Sequence, residues 1–130
     1  MERKKEFTYK GMNLDELKKL NVREFAKFVK SRQRRTILRN FQIIEDFLSK
    51  SEIKAEKGKR IKTHLRDLVV VPGMIGMNIS VYNGNNFVPV QIVGEMLGHK
   101  LGEFAPTRGK IKHGSAGVGA TKGTKHKSKK

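Results

Sequence analysis

The sequence predicts an α+β fold in which short N-terminal helices precede a small sheet and a basic tail follows it. Three observations support this prediction. Apolar residues recur at helical spacing as far as residue 56, alternate with polar or small residues between 75 and 92, and become rare after 108. A period near 3.6 indicates helices with one buried face, and a period of 2 indicates half-buried strands. A chain of 130 residues can build one modest core, so we expect one folded body with a tail.

Two N-terminal segments have the pattern of a helix start. In both Asn13-Leu14-Asp15-Glu16 and Asn21-Val22-Arg23-Glu24, an asparagine precedes a glutamate by three residues. The asparagine side chain can accept from first-turn N–H groups while the glutamate bonds back, as in a capping box. Short helices should therefore begin at both places. A further apolar stripe predicts a third helix from about 40 to 56, and its members are Ile37, Phe41, Ile44 and Leu48.

A basic run follows the second helix start. Between 27 and 39 the helical face opposite the apolar stripe carries six bases and no acid, and the bases are Lys27, Lys30, Arg32, Arg34, Arg35 and Arg39. A solvated surface is the simple alternative, but ordinary surface helices mix both signs because opposite charges one turn apart attract. We therefore predict that Arg32, Arg34 and Arg35 contact phosphates.

The segment between the helices and the alternating region divides into two parts. Gly58 ends the helical pattern, and 58–66 has the composition of an extended basic linker whose backbone could approach phosphates. The β-branched run 68–71 stops at Pro72-Gly73 and predicts a strand. Its continuous apolar character favours a central position in the sheet.

The strongest local signal is a β-hairpin. Apolar residues alternate on both sides of Asn83-Gly84, which is a preferred two-residue turn. A two-residue loop would place Pro89 opposite Asn78 at a hydrogen-bonded position, where proline has no N–H to donate. A four-residue loop, 83–86, is expected to leave the same difficulty. Pro89 should therefore mark a bulge or face an open edge, and the register stays open.

The segment 109–130 contains seven lysines and five glycines, with Ile111 and Val118 as its only large aliphatic residues. It cannot bury enough apolar surface to offset the entropy of ordering, so it should be an extended or disordered tail that orders on a partner. Its glycines resemble a nucleotide phosphate loop, but the Gly-Lys-Ser or Gly-Lys-Thr ending is missing. A purely solubilising tail is the alternative to RNA contacts by Lys110, Lys112, His113 and Lys122.

The charge balance indicates the class of partner. Lys and Arg number 29 against 12 Asp and Glu, which gives a formal net charge of +17 and a pI near 10.4. A compact body with that excess repels itself, so a polyanion is expected to bind it, and nucleic acid is the leading candidate. An anionic membrane is the alternative, but no apolar run approaches the roughly 20 residues that span a bilayer. Residues 1–6 also lack the apolar stretch of a secretory signal, so we expect an intracellular protein without a membrane partner.

Catalysis has little support in the sequence. The absence of cysteine excludes disulfides, thiolate metal sites and thiol nucleophiles. The four histidines are never three or four residues apart, and the acids are scattered. We therefore expect no enzymatic activity, no catalytic residue, no cofactor and no metal. An enzyme that acts on nucleic acid would instead need carboxylates clustered in a cleft for metal-assisted chemistry. The acids to examine for such a cluster are Asp67, Glu95 and Glu103.

Base stacking requires exposed aromatic side chains. Most phenylalanines follow helical stripes and should be core residues, as for Phe25, Phe28, Phe41 and Phe47. Tyr82 and Phe87 flank the predicted turn and are the exceptions. We expect backbone and shape recognition to dominate over the reading of bases.

Longer motifs carry a family resemblance. Three motifs together resemble the universal family of small-subunit ribosomal protein nineteen. They are Asn83-Gly84-Asn85, Phe87-Val88-Pro89-Val90 and the run from Gly94-Glu95-Met96-Leu97-Gly98-His99-Lys100 through Leu101-Gly102-Glu103-Phe104-Ala105-Pro106-Thr107-Arg108. Arg60-Ile61-Lys62-Thr63-His64 and Pro72-Gly73-Met74-Ile75-Gly76 also look like that family, so the similarity covers about 60–108. The helical region before it and Lys112-His113-Gly114-Ser115 resemble the archaeal and eukaryotic branch. Gly73 and Tyr82 depart from the family, which commonly has Glu and His there.

The resemblance implies a three-stranded, mostly antiparallel sheet and binding to the 3′ (head) domain of small-subunit ribosomal RNA in cytoplasmic ribosomes. It also implies a neighbouring ribosomal protein thirteen, a tail directed toward the decoding region and transfer RNA, and no homo-oligomer. The RNA-binding residues carried over are Lys62, Thr63, His64, Arg66, Asn83, Gly84, His99, Lys100, Thr107 and Arg108.

On this basis we divide the chain into an N-terminal helical extension (1–57), an RNA-binding α+β core (58–108) and a basic tail (109–130). A free-standing basic RNA or DNA chaperone remains the alternative, because it would have the same charge without a fixed protein neighbour.

Overall fold

A computed structural model describes residues 5–127 and has an α+β fold, as predicted. Residues 1–4 and 128–130, the last part of the predicted tail, lie outside the described residues. Two short strands precede four helices, and a second sheet follows. The elements are β1 (Thr8–Tyr9), β2 (Met12–Asn13), α1 (Leu14–Lys19), α2 (Val22–Phe25), α3 (Ser31–Arg39), α4 (Phe41–Glu56), β3 (Ile61–Thr63), β4 (Asn78–Tyr82) and β5 (Phe87–Gln91).

The helix starts follow from local hydrogen bonds. At α2 the N–H of Glu24 donates to Asn21 Oδ1 over 3.0 Å, and the N–H of Asn21 donates to Glu24 Oε2 over 3.1 Å. The predicted basic helical face from 27 to 39 is wrong in one respect, because α2 ends at Phe25 and α3 begins only at Ser31. The guanidinium of Arg34 donates to the carbonyl oxygens of Ala26 and Lys27 over 3.0 and 3.1 Å, which holds the chain between the two helices.

The three-stranded sheet has the order β3-β4-β5. It is mixed rather than mostly antiparallel, because β3 runs parallel to β4 while β4 and β5 are antiparallel. The third strand also differs from the prediction. It comes from the segment 58–66, in which Ile61 and Thr63 are buried and Lys62 is exposed.

The segment 68–71 is not a strand of this sheet. It is extended and fully buried, and it forms one isolated bridge, between Val69 and Lys100. Its backbone bonds go to the segment after β5, since the N–H of Val70 donates to the carbonyl of His99 over 2.8 Å. The unbroken apolar run therefore reflects burial on all sides and not a central strand.

The register of β4 and β5 explains Pro89. Ser80 lies opposite Pro89, and the chain between the strands is 83–86. Hydrogen-bonded pairs include Asn83 with Asn86 and Met77 with Ile92, each with an N–H to carbonyl distance of 3.0 Å. Since such pairs alternate along an antiparallel ladder, Pro89 occupies a non-hydrogen-bonded position. Its ring nitrogen faces the open edge of β5, there is no bulge, and the expected difficulty with a four-residue loop does not arise.

One apolar core joins the helices to the inner face of the sheet. Fully buried side chains come from α1, α2, α3, α4, β4 and the buried segments around them, and the largest are Phe25, Leu17, Ile37, Ile44, Met74, Ile79, Ile92 and Leu101. The helical region therefore packs on the same core as the sheet. The described part of the tail adds no member to this core, and its bonds are internal, as between the N–H of Gly119 and Thr124 Oγ1 over 3.0 Å.

Candidate nucleic-acid interface

The outer face of the sheet forms a basic groove with a volume of about 700 Å³. Side chains alternate across a strand, so the residues that point away from the core line this face. Its charged lining residues are all basic, namely Lys59, Arg60 and Lys62. The complete lining is Gly58, Lys59, Arg60, Lys62, Asn78, Ser80, Asn86, Phe87 and Pro89, which we call the basic groove.

The chain enters the basic groove directly from the end of α4. Gly58 has a φ of +63°, a backbone conformation that glycine adopts without strain, and this turn leads Lys59 and Arg60 into β3. Both bases are exposed and have no salt-bridge partner in residues 5–127. The fold thus holds the backbone of Lys59 and Arg60 in place and leaves their charged groups exposed. This arrangement suits contacts with phosphates.

An aromatic cluster adjoins the basic groove. The rings of His64, Tyr82 and Phe87 lie 4.6 to 5.1 Å apart between centroids, and Lys62 Nζ lies 5.2 Å from the centre of the Phe87 ring. Partly exposed aromatic faces next to cations can stack unpaired bases while the cations hold the backbone. The sequence predicted Tyr82 and Phe87 as stacking candidates, but it gave no sign that His64 joins them.

The turn beside this cluster is built by Asn83 itself. Its Oδ1 accepts hydrogen bonds from the N–H groups of Asn85 and Asn86 over 3.0 and 2.7 Å, while Gly84 has a φ of +100°. Tyr82 Oη donates to the carbonyl of Gly84 over 3.0 Å. Among the described residues, the side-chain NH₂ of Asn83 has no hydrogen-bond partner.

Arg66 ties the end of β4 to a later segment. Its guanidinium donates to the carbonyl oxygens of Tyr82, Gly102 and Ala105 over 2.6, 2.7 and 2.8 Å. Gly102 permits the close approach, because a Cβ there would lie 3.0 Å from Arg66 Cβ and 3.1 Å from its carbonyl oxygen. We call this arrangement the Arg66 clamp. It commits most of the guanidinium to the protein, so the predicted RNA contact of Arg66 has few free donors.

Thr63 also has a structural position. Its side chain is buried, with 6% of the residue exposed, and its hydroxyl accepts a hydrogen bond from the N–H of Leu65 over 3.0 Å. A buried and bonded hydroxyl cannot reach RNA without unfolding the strand end. Thr63 is therefore less accessible to a partner than its exposed neighbours Lys62 and His64, and its RNA contact stays a prediction.

The segment after β5 carries a second group of predicted RNA-binding residues. His99 Nδ1 lies 2.8 Å from Glu103 Oε2, and Lys100 Nζ lies 3.9 Å from Asp67 Oδ1. Thr107 and Arg108 are exposed and follow the Arg66 clamp at Ala105. The clamp therefore holds the start of this exposed segment against the end of β4.

The remaining predicted residues are dispersed. Arg32 and Arg35 are exposed on α3, whereas Arg34 is bonded to the end of α2. The tail residues are also exposed, and they are Lys110, Lys112, His113 and Lys122. Throughout residues 5–127, no group of side chains could hold a metal ion, and no helix combines the length and apolarity needed to cross a bilayer.

The chain is similar in sequence to known ribosomal proteins. The model of the family described as ribosomal protein S19 matches residues 35–113. A small ribosomal subunit protein uS19 from Methanocella arvoryzae is 46% identical over 124 residues, which cover 95% of this chain and 87% of that protein. The family match begins on α3, includes the basic groove and the Arg66 clamp, and ends within the tail.

Proposed function

Because this chain belongs to the ribosomal protein S19 family, we propose that it is a structural constituent of the small ribosomal subunit that binds ribosomal RNA. The observation that carries this proposal is the basic groove, where three cations lie beside an aromatic cluster. Within residues 5–127 these cations have no salt-bridge partner, and no acid lines the groove. The relative from an archaeon is consistent with the predicted archaeal and eukaryotic branch of the family. A role in translation as a binding protein, and not as an enzyme, follows from the family.

We further propose that the RNA partner is the 3′ (head) domain and that ribosomal protein thirteen is a neighbour. The tail would extend toward the decoding region and transfer RNA. The motif resemblance over 60–108 supports these proposals, together with the exposure and charge of 109–127. The described part of the tail, 109–127, contributes nothing to the core and is therefore available for RNA.

The binding mode we propose combines two kinds of contact. Lys59, Arg60 and Lys62 neutralise phosphates along the sheet face, and the rings of Tyr82 and Phe87 accept an unpaired base. Phosphate contacts supply affinity that depends on salt, whereas stacking supplies affinity that does not. The two contributions can therefore be measured separately.

A titration tests the proposal directly. The full chain is titrated with a transcript of the head domain, and with a transcript of equal length from the 5′ domain, at several salt concentrations. We expect tighter binding to the head transcript and an affinity that falls steeply with salt, with a slope of about −0.9 per phosphate neutralised in duplex regions. Equal affinity for the two transcripts would overturn the assignment to the head, and a flat salt response would overturn the electrostatic mode.

The tail is tested by deleting 109–130. We expect weaker binding and a shallower salt dependence, with nearly unchanged thermal unfolding because the described tail adds nothing to the core. A large loss of thermal stability would mean that the tail packs on the folded body.

Co-sedimentation separates this proposal from a free-standing RNA or DNA chaperone. A subunit constituent should remain with small subunits through a high-salt wash, since its contacts include a fixed position among neighbours. A chaperone held by charge alone should wash off.

A further inference from the structure

A second groove lies on the helical side of the molecule. It runs between the start of α2, the middle of α4 and the turn at Pro72-Gly73, and has a volume of about 310 Å³. Its floor is apolar, and its only charged lining residues are Glu45 and Glu52. The complete lining is Leu20, Asn21, Val22, Glu45, Leu48, Ser49, Glu52, Val71, Pro72 and Gly73, which we call the acidic groove.

The spacing on α4 explains the lining. Glu45, Ser49 and Glu52 are separated by four and three residues, so they follow one face of the helix, with Leu48 beside them. Gly73 lines the opposite side of the groove, and a Cβ there would lie 3.3 Å from Leu48 Cδ2. The absence of a side chain at residue 73 therefore lets the Pro72-Gly73 turn pack closely against Leu48.

The charge of this surface is opposite to that of the molecule. α4 contains Glu45, Asp46, Glu52 and Glu56 against Lys50 and Lys54, a net charge of −2 in a chain of +17. Within residues 5–127, neither Glu45 nor Glu52 forms a salt bridge. Two carboxylates without a salt bridge, beside an apolar floor, repel phosphate groups. They attract a lysine or arginine that has an apolar residue next to it.

We propose that the acidic groove docks a short segment of a neighbouring small-subunit protein, in which a lysine or arginine adjoins an apolar side chain. The apolar side chain lies on Val22, Leu48 and Pro72, and the cation lies between Glu45 and Glu52. This inference rests on the proposed function, because it requires the chain to be assembled among other proteins. Residues 109–127 of the chain's own tail do not line the groove, and Ile111, the large aliphatic residue between two lysines there, is 75% exposed.

Crosslinking within assembled subunits tests the proposal. The full chain is produced with the photoreactive residue p-benzoylphenylalanine at Ser49, which is exposed and lines the groove, and is assembled into small subunits. The matched control places the same residue at Lys50, which is exposed on the next position of α4 and outside the groove. After irradiation, ribonuclease and protease digestion followed by mass spectrometry identifies what was captured.

We expect position 49 to capture one peptide of another subunit protein that contains lysine or arginine next to an apolar residue, and position 50 not to capture it. Capture of RNA, capture of the chain's own tail, or no capture from sedimenting subunits overturns the inference. If the unsubstituted chain does not sediment with small subunits at all, the proposed function fails, and this is seen before irradiation.

A further pair of variants tests whether docking depends on the two carboxylates of the acidic groove. We expect the combined Glu45→Gln and Glu52→Gln change to lower the yield of that crosslink about fivefold or more, because both carboxylates that face the cation are lost. Glu56→Gln removes a carboxylate from the same helix outside the groove and should leave the yield unchanged. Equal yields from the two variants would overturn the electrostatic basis of the docking.

Discussion

The basic groove and the acidic groove are both open surfaces lined by charges of a single sign, but they belong to different elements. Three bases line the outer face of the sheet, while two glutamates of α4 line the helical side. The net charge of +17 is therefore not spread evenly over the molecule. Net charge thus indicates the kind of partner that binds the chain as a whole, whereas each surface selects its partner through the residues that line it.

The two grooves also differ in what holds them. The sheet face and the turn after β4 depend on the Arg66 clamp, whose carbonyl partners lie 16, 36 and 39 residues along the chain. The acidic groove depends on a helix and an apolar floor. Damage to one distant contact should consequently affect the RNA side of the molecule more than the helical side.

The largest expected effect comes from Arg66→Ala. It leaves three carbonyl oxygens without their charged donor, so we expect a loss of about 3 kcal/mol or more in the free energy of unfolding, measured by urea denaturation. Arg66→Lys should recover only part of it, because an ammonium group lacks the planar fork of donors. Arg60→Ala is the control and should change stability little. Equal stability of the Arg66→Ala and Arg60→Ala variants would show that the clamp does not hold the fold.

The next effect concerns the cations of the basic groove. Replacing Lys59, Arg60 and Lys62 together with Gln should lower affinity for the head transcript roughly 100-fold near physiological salt and make the salt slope shallower by about 2 to 3. A binding titration at four or more salt concentrations measures both quantities. An unchanged slope would mean that these three side chains do not contact phosphates, and the proposed RNA face would be wrong.

A smaller effect is expected from Phe87→Leu, which keeps an apolar side chain but removes the aromatic face. If a base stacks there, the affinity should fall roughly tenfold, within the range of about 1 to 3 kcal/mol per stacked base, while the salt slope stays the same. The same titration checks this. A loss of slope without a tenfold loss of affinity would contradict stacking at this ring.

The smallest effect is predicted for the combined Glu45→Gln and Glu52→Gln variant in RNA binding. The two carboxylates lie outside the basic groove, so screening at physiological salt should limit the change in RNA affinity to about twofold. A filter-binding assay with the head transcript measures it. A rise of tenfold would mean that RNA passes over the helical side and that the two grooves do not divide the partners between them.

Some of this architecture follows from local sequence patterns. The capping pattern at Asn21 and the alternation on either side of 83–86 are determined by neighbours in the chain, and the structure has a helix and two strands there. β3 was missed because only three residues form it, although Ile61 and Thr63 alternate with Lys62 in the expected way. The run 68–71 was assigned to the sheet because an apolar β-branched sequence indicates burial without saying which element covers it.

The site was predicted less completely than the fold for a related reason. The sequence alone does not show whether the charged group of a basic residue is exposed or hydrogen-bonded within the protein. Among the residues that the structure describes, Lys62 has no hydrogen-bond or salt-bridge partner, whereas Arg34 and Arg66 donate to carbonyl groups. These partners become visible only after the chain has folded. The aromatic cluster likewise combines residues from the end of β3, from β4 and from β5, so no local pattern could assign His64 to it.

Pro89 has a consequence for the protein before it reaches its partner. A strand at the edge of a sheet can pair with a strand of another molecule. Such pairing could lead to self-association of newly synthesised chains before they bind their partner. The outer edge of β5 lacks one N–H donor at its centre, so an incoming strand would lose a ladder bond there. Pro89 can thus oppose self-association at the edge of β5 through its missing N–H, while its ring forms part of the lining of the basic groove.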